Sequence, residues 1–384
     1  MKYRTDPNLL SEVRQYGRFD TNACYQCGSC TISCNLIQDS ISFPRKIIRY
    51  ALIGLKNQLN SSVEPWICHD CGDCSITCPR QANPRESMAT LRRYLSSQYD
   101  WTGLASKINS SKVWYMGSII LCFLLVPFLV AFYHLYISEM QYSDFITTPM
   151  GLEHMFGLIK DFTLVVILVP FIFLLSNAFR MYWFTIHKET TIKIPFFLYV
   201  TEARAYITHS VTHKWFEKCP EKIRWPKHWL LAFGCVLMLV ILVFSLSWFQ
   251  TDNIYPIYHP QRWLGYLATI FLVYGSIDIL VGRIRKNKEI HKFSEFGDYA
   301  FPTLLLLTAL SGIAVHIFRY MGLELTTHLA YALHISVTVP MLIIEIPFGK
   351  MSHMIYRPLA IYFLSVKEKA LQMQTTKEPV LENV

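Results

Sequence analysis

The sequence predicts an α-helical membrane bundle of about six transmembrane helices, preceded by a small, mainly helical domain rich in cysteine. Three observations predict this class. Of the 384 residues, 52% are hydrophobic and only 16% are charged, which is unusual for a soluble domain. Apolar stretches long enough to cross a bilayer recur from Val113 onward. Before that point lie most of the 11 cysteines, in two short runs. The expected divisions are 1–112, 113–365 and a tail, 366–384.

The membrane domain is expected to begin with residues 113–137, which contain no Asp, Glu, Lys or Arg and can cross a bilayer as one helix. Further apolar stretches lie at about 162–180, 229–249, 263–281, 299–318 and 327–347. Between the second and third of these six stretches, residues 195–227 mix aromatic with basic side chains. That segment is too polar to span a membrane, so we expect an amphipathic helix lying along the interface.

Basic residues predict the orientation of the bundle. The loop 180–227 carries nine Lys and Arg residues and the loop 282–292 carries five, whereas the opposite loops hold few, among them Arg262 and Arg319. The positive-inside rule then puts both termini in the cytoplasm, in a multi-pass protein of the cytoplasmic membrane. The net charge of +9 is accounted for by this topology, so we expect no nucleic-acid partner.

The cysteines form two runs of identical spacing, C-x-x-C-x-x-C-x-x-x-C. This is the spacing of bacterial ferredoxins, in which the fourth Cys of each run ligates the other cluster. Zinc sites and disulfides are the alternatives, but zinc sites usually pair two C-x-x-C units or add His, and disulfides are rare in the cytoplasm. We therefore expect two [4Fe–4S] clusters, one on Cys24, Cys27, Cys30 and Cys78 and the other on Cys68, Cys71, Cys74 and Cys34. The three isolated cysteines are expected to be structural: Cys122, Cys219 and Cys235.

Histidines decide whether the membrane domain binds haem, because a haem b between helices needs two imidazoles from different spans at one depth. His228 begins the third span and His353 follows the sixth, so both lie at the cytoplasmic end, beside the cysteine domain. They are the predicted ligands of an inner haem b. His334 lies deepest in the apolar phase and is the candidate for an outer haem b. Its partner is left open among three residues: His316, His154 and His134.

The remaining polar groups of interest have simpler expected roles. His209 and His213 are i, i+4 neighbours and are expected on a solvated helix face. His69 is expected at the surface. Asp278 and Glu345 are the acidic groups nearest the apolar phase, so each is a candidate for a proton path or a plain interfacial residue.

Two sequence segments carry a family resemblance. CYQCGSCTISC and CHDCGDCSITCPR resemble the small iron–sulfur subunit of heterodisulfide reductases. The stretch from His334 to Pro358, with its PF-x-K-x-x-His element ending at His353, resembles the haem b membrane subunits of the respiratory nitrate reductase gamma type. The fusion of both in one chain resembles the C-type membrane subunit of the quinone-interacting membrane-bound oxidoreductases (Qmo). The segments IYPIYHPQRWLGY and EIHKFSEFGDYAFP reinforce that likeness.

The resemblance implies site residues. The inner haem ligands of the family map onto His228 and His353, and a ligand of its second haem maps onto His334. The partner position in the family falls on Met238, which leaves Met ligation, another His or no second haem. His334 and His353 are 19 residues apart, one more than in the gamma subunits. We therefore expect a π-bulge or kink near Pro340 or Pro347.

The resemblance also implies a redox relay. Menaquinone would react at a site near a haem, and electrons would pass between it and the two clusters through haem b. Two flavin and iron–sulfur subunits resembling heterodisulfide reductase A would be the partners, with adenylylsulfate reductase of dissimilatory sulfur metabolism beyond them. No Gly-rich nucleotide fingerprint occurs in this chain, which agrees with such dependence on partners. The alternatives are the membrane electron-transfer subunit of a heterodisulfide reductase-like complex and a haem-free iron–sulfur membrane anchor.

Overall fold

The structure is a computed structural model that describes residues 4–36, 43–137, 143, 156–188, 193–218, 221–249, 251 and 253–377. These residues form helices and turns, and no strand occurs among them. The predicted helical class is confirmed.

Short helices build the N-terminal domain. They are α1 Leu9–Arg14, α2 Ser29–Ile32, α3 Arg45–Leu52, α4 Lys56–Asn60, α5 Glu64–Ile67, α6 Asp73–Ile76, α7 Pro84–Tyr99 and α8 Leu104–Ser110. Helix α7 is the longest, and Pro84 at its first position suits a helix start because no intrahelical partner exists there for an N–H. Leu91 and Leu95 of α7 pack against Leu9 and Val13 of α1 in a core from which solvent is excluded.

The rest of the chain forms the bundle and its connections. The elements are α9 Lys112–Phe132 with a π-helical end Tyr133–Ile137, α10 Phe156–Tyr182 with a π-helical end Trp183–His187, α11 Phe196–Thr201, α12 Ala203–Thr212, a 3₁₀ turn Lys214–Lys218, α13 Arg224–Phe244, α14 Leu246–Phe249, α15 Pro260–Arg285, α16 Glu289–Lys292, α17 Phe296–Tyr320, α18 Glu324–Pro340 with a π-helical end Met341–Glu345, a 3₁₀ turn Lys350–Ser352, and α19 His353–Lys377.

Six helices in the described part of the chain are long and apolar enough to cross a membrane: Lys112–Phe132, Asp161–His187, Arg224–Phe244, Pro260–Arg285, Phe296–Tyr320 and Glu324–Glu345. The predicted number of spans is therefore confirmed. Large apolar side chains such as Phe128, Phe179 and Ile270 remain exposed on these helices, as expected of surfaces that face lipid.

Glycines let two of the spans approach closely. A Cβ added at Gly275 of α15 would lie 2.7 Å from Leu231 of α13, and one at Gly234 of α13 would lie 2.9 Å from Phe271. Small residues at such contacts allow van der Waals packing, which is a main source of helix association in a membrane. The pair α13–α15 thereby fixes the position of His228 at the start of α13.

The segment 195–227 differs from the predicted single amphipathic helix. It contains α11, α12 and a 3₁₀ turn, and α12 ends at His213, which has a left-handed backbone conformation with a φ of +48°. His209 and Phe216 are buried there instead of lying on a solvated face. The predicted tail boundary at 365/366 is not a break either. It falls inside α19, where Val366 and Ala370 pack on Leu198.

The predicted irregularity near Pro340 is present. Helix α18 ends at Pro340 and continues as the π-helical turn Met341–Glu345. Proline has no N–H for the carbonyl one turn earlier, and this loss weakens the regular helix. The chain then leaves the helix before α19 begins at His353. Consequently His334 and His353 lie on two separate helices.

Candidate functional site

The N-terminal domain lies against the end of the bundle that carries the basic loops. Arg180, near the end of α10, donates a hydrogen bond to the Tyr99 carbonyl at 2.8 Å. Asn109 donates to the Phe348 carbonyl at 2.9 Å. On the same face, the Trp66 and Tyr356 rings lie 4.9 Å apart. The cysteine domain and α19 therefore share one end of the bundle, and their cytoplasmic location remains a prediction from charge.

The eight clustered cysteines line two cavities, and the fourth residue of each run crosses to the other run's cavity. The first cavity is lined by Cys24, Cys27, Cys30 and Cys78. The second is lined by Cys68, Cys71, Cys74 and Cys34. This grouping is the one that the ferredoxin spacing predicts, and it fits two four-cysteine clusters. The cluster ligation itself stays a prediction, which the grouping supports.

Glycine makes each cysteine loop turn tightly. Gly28 and Gly72 have φ values of +90° and +95°, which residues with an L side chain rarely adopt, and each precedes a short helix of its run.

The two cysteine loops differ in their exposure to solvent and in their contacts with the bundle. Cys27 is exposed, whereas Cys68 is buried. A Cβ on Gly72 would meet the Glu289 side chain at 3.0 Å, so the second loop packs on the bundle. The first cavity lies outward and the second inward.

Arginines surround the second cavity. Asp70, between Cys68 and Cys71, accepts hydrogen bonds from Arg85 at 2.9 Å and from Arg92 at 3.2 Å. Burial opposes the negative charge of Asp70, but these two arginines hold its pKa well below the usual value. Arg224, at the start of α13, also donates to the Asp70 carbonyl at 3.4 Å. Arg85 also pairs with Glu86 at 3.1 Å, so two carboxylates balance part of this positive charge. Arginines so close to the cavity suit an anionic iron–sulfur cluster with four thiolates.

The predicted inner haem ligands meet at the base of this domain. The ring centroids of His228 and His353 lie 6.5 Å apart. If one metal ion were bound by both rings, each metal–nitrogen bond would be about 2 Å and each nitrogen lies about 1 Å from its ring centre. The two ring centres would then be roughly 6 Å apart, close to the observed separation. Nδ1 of His353 donates to the Lys350 carbonyl, which leaves its Nε2 lone pair for a metal. The pair therefore fits the axial ligands of a haem.

Two further imidazoles lie beside this pair. The His213 ring lies 5.0 Å from that of His228 and 5.9 Å from that of His209. His209 is only 4% exposed, which corrects the prediction of a solvated face. The pKa of His209 is lowered to about 3, mainly by burial and further by the neighbouring Arg357 and His213. The i, i+4 spacing was a usable signal for these two residues, but it does not show that α12 packs against α19.

The predicted surface residue His69 is also buried, at 3% exposure. Its ring lies 5.4 Å from that of Phe216, and the Phe216 ring lies 4.8 Å from that of His228. Burial and the charges of Arg357 and Arg224 lower the pKa of His69 to about 2, so the ring is neutral. His69 lies inside the second cysteine run, but the spacing of that run assigns it no role, and Phe216 belongs to no motif; sequence reasoning therefore missed both.

The outer haem site is less complete. Nδ1 of His334 pairs with the Ser311 hydroxyl at 2.9 Å, and a Cβ at Gly312 would lie 3.3 Å from the His334 ring. His316 uses Nε2 in a 2.7 Å hydrogen bond with Tyr266, which leaves only its Nδ1 for a metal. Met238 packs near the buried cluster that contains Leu272, Phe301 and Val337. His154 and the His134 side chain lie outside the described residues.

The two candidate carboxylates have different environments. Asp278 forms a 2.6 Å ion pair with Lys227, and its side chain is 40% exposed, as expected of an interfacial residue. Glu345 is 0% exposed, and one carboxylate oxygen accepts from the Lys350 amide at 2.9 Å. Its Oε1 has no hydrogen-bond partner among the described residues. Of the two, Glu345 is the better candidate for proton transfer.

The isolated cysteines agree with structural roles where they are described. Cys122 and Cys235 pack among apolar side chains between the spans. Cys219 lies outside the described residues.

Comparison with known proteins identifies the N-terminal domain. The family of 4Fe–4S dicluster domains matches residues 20–82. The chain is 31% identical over 94 residues to an Archaeoglobus profundus protein described as similar to the C-type subunit of heterodisulfide reductase, covering 24% of this chain and 50% of the relative. It is 32% identical over 118 residues to the second C-type iron–sulfur subunit of the CoB–CoM heterodisulfide reductase of Methanocaldococcus jannaschii, covering 29% and 62%.

A third relative gives the same result over a shorter stretch. The C-type iron–sulfur subunit of the Methanopyrus kandleri CoB–CoM heterodisulfide reductase is 41% identical over 58 residues, covering 15% of this chain and 30% of the relative. The chain thus spans about half the length of the curated relatives it matches. No solved structure matches. The resemblance of the N-terminal part to the heterodisulfide reductase subunit is confirmed, and the resemblance of the membrane part stays a prediction.

Proposed function

We propose that this chain is a membrane electron-transfer subunit that connects quinone in the bilayer with two [4Fe–4S] clusters through haem b. The observation that carries this proposal is the His228–His353 pair. Its 6.5 Å ring separation would suit an iron between the rings, and the chain of ring contacts from His228 through Phe216 to His69, which lines the second cysteine cavity, supports a haem near that cavity. A haem held here supplies one-electron redox chemistry between the quinone and the clusters.

The surrounding residues have defined tasks in this proposal. The Lys350 carbonyl fixes the tautomer and orientation of His353. Arg85 and Arg92 neutralise Asp70 and leave positive charge beside the thiolates of the second cluster. Buried Glu345 would accept or release a proton during quinone chemistry near the basic end of the bundle.

The proposed partner surface surrounds the outward cluster. Cys27 is exposed, and so are the apolar side chains of Tyr25, Ile32 and Ile76 in the two cysteine runs. Exposed apolar groups beside a redox site suit a docked protein. By resemblance, the proposed partners are two flavin and iron–sulfur subunits similar to heterodisulfide reductase A, acting indirectly with adenylylsulfate reductase. The proposed quinone is menaquinone.

A second candidate function involves the same electron-transfer chemistry but a different partner complex. The curated relatives carry names of heterodisulfide reductase subunits, which favours a complex that acts on a thiol–disulfide couple. Purification of the chain with its partners, followed by assays with adenylylsulfate reductase and with a disulfide substrate, distinguishes the two. A haem-free anchor is the third candidate, and haem content separates it from both.

The first test is a reduced-minus-oxidised visible spectrum of the purified full chain, with haem and non-haem iron quantified. The relay requires about eight non-haem irons, four in each of two clusters, together with one or two haems b. Eight irons without haem would leave a cluster-bearing anchor and remove the main support for quinone chemistry.

A further inference from the structure

The rings of His69 and Phe216 fill the space between the second cysteine cavity and His228. His69 directly follows Cys68 and lines the cavity with it. From His69 to Phe216 the ring centroids are 5.4 Å apart, and from Phe216 to His228 they are 4.8 Å apart. Both His69 and Phe216 are nearly inaccessible to solvent. A continuous, dry line of rings therefore joins the two redox sites.

Arg357 holds this pair of rings in place. Its guanidinium donates a 2.8 Å hydrogen bond to Nδ1 of His69 and lies 4.3 Å from the centre of the Phe216 ring. Because arginine can only donate, Nδ1 of His69 accepts and the neutral ring carries its proton on Nε2. Arg357 also lies one turn after His353 on α19. One residue thus connects the cluster loop, the intervening ring and the helix of a predicted haem ligand.

We propose that His69 and Phe216 form the contact through which single electrons pass between the second cluster and the haem held by His228 and His353. This inference rests on the proposed function, because it requires both groups. Each transfer would move one electron between the two groups, so that one would be oxidised as the other is reduced, with no change of bonds or protons. Packed atoms couple two redox centres better than an empty gap does, and the Phe216 ring closes such a gap.

A second line of rings crosses the same interface and supplies a matched control. Trp66, two residues before Cys68, lies 4.9 Å from Tyr356, and Tyr356 lies 5.4 Å from Tyr99. From Tyr99 this line continues to Phe184 at the end of α10, at 6.2 Å, and not toward His228. Phe184→Ala therefore removes a ring from the interface without opening the proposed path.

The test is a flash experiment on the full chain in lipid nanodiscs. A laser pulse photoreduces deazaflavin in the aqueous phase, which reduces the outward cluster. Electron transfer within the protein then appears as a first-order rise of haem absorbance, independent of protein concentration. The variants are Phe216→Ala, Phe216→Tyr and Phe184→Ala. Haem content and the cluster electron paramagnetic resonance spectrum confirm that each variant is fully loaded.

We expect Phe216→Ala to slow the haem rise several-fold with normal cluster reduction, whereas Phe216→Tyr and Phe184→Ala keep the original rate. An unchanged rate in Phe216→Ala, or equal slowing in Phe184→Ala, would overturn the proposal. Should Phe216→Ala fail to assemble, Phe216→Val, which still removes the ring and leaves much of its space empty, takes its place against Phe216→Tyr with the same expected slowing. Absence of haem from the unaltered protein would refute the proposed function itself and this inference with it, so the two failures are distinguishable.

Discussion

Arg357 donates a 2.8 Å hydrogen bond to Nδ1 of His69 across 288 residues of sequence. The bond joins α19, at the end of the membrane bundle, to the loop that carries the second run of cysteines. It ties the residue next to Cys68 to the helix that begins at His353, a predicted haem ligand. Changes at this contact should therefore affect domain docking before they affect either domain alone.

Replacing Arg357 with Met should loosen the docked domain. The substitution keeps much of the apolar stem but leaves the buried Nδ1 of His69 without a donor, at a cost of about 1–3 kcal/mol. Hydrogen exchange at residues 66–70 should become faster, while exchange in the buried helix α1 remains unchanged. Arg357→Lys keeps the charge without the planar fork and should give an intermediate effect. Equal protection in all three proteins would contradict the assigned role of this bond.

Replacing His353 or His228 with Ala should remove the inner haem, because each is proposed to supply one axial ligand. The visible spectrum and the haem-to-protein ratio measure the loss. His187→Ala is the control, since His187 is not a candidate haem ligand and its ring stacks on that of Trp183 at the end of α10. Unchanged haem content in His353→Ala would rule out the assignment.

Serine substitutions can test the crossed ligation of the clusters. If Cys78 serves the first cluster, then Cys78→Ser and Cys24→Ser should damage the same paramagnetic signal. Cys34→Ser and Cys68→Ser should then both damage the paramagnetic signal of the other cluster. Cys122→Ser should leave both signals intact, because that residue lies among apolar side chains in the bundle. Grouping by run, with Cys78 and Cys68 affecting one signal, would show that the runs do not cross.

Glu345→Gln should slow quinol oxidation and leave the haem spectrum unchanged, since the amide fills the same space but cannot carry the proton. Asp278→Asn is the matched control, because Asp278 is half-exposed and paired with Lys227. The measurement is steady-state oxidation of a soluble quinol analogue by the purified complex. Equal rates for the two variants would remove Glu345 from the proposed proton path.

Gly72→Ala should destabilise the second cluster more than Gly28→Ala destabilises the first. Both positions have positive φ, so each alanine should cost on the order of 1 kcal/mol in backbone strain. At Gly72 the new Cβ also meets Glu289 at 3.0 Å, whereas at Gly28 the nearest atom is 3.5 Å away, on Arg45. The rate of cluster loss to an iron chelator provides the comparison, and equal rates would argue against close packing of the second loop on the bundle.

Local sequence determined much of this protein. Cysteine spacing predicted the grouping around two cavities, because ligands two or three residues apart are constrained by one short loop. The length of each apolar stretch predicted six spans, because a bilayer sets the length of helix that crosses it. The pairing of His228 with His353 followed from their common depth at the two ends of different spans.

Tertiary structure alone decided what lies between these sites. His69, His209 and Phe216 look like surface or interfacial residues in the sequence, but segments distant in sequence surround them: the His69 ring lies against that of Phe216, and α12, which carries His209, packs on α19. Beyond residue 365, α19 likewise packs on a distant segment, through Val366 and Ala370 against Leu198. Burial of a polar ring is a property of all the segments that surround it. Here those segments lie up to 288 residues apart, and no local pattern records their contact.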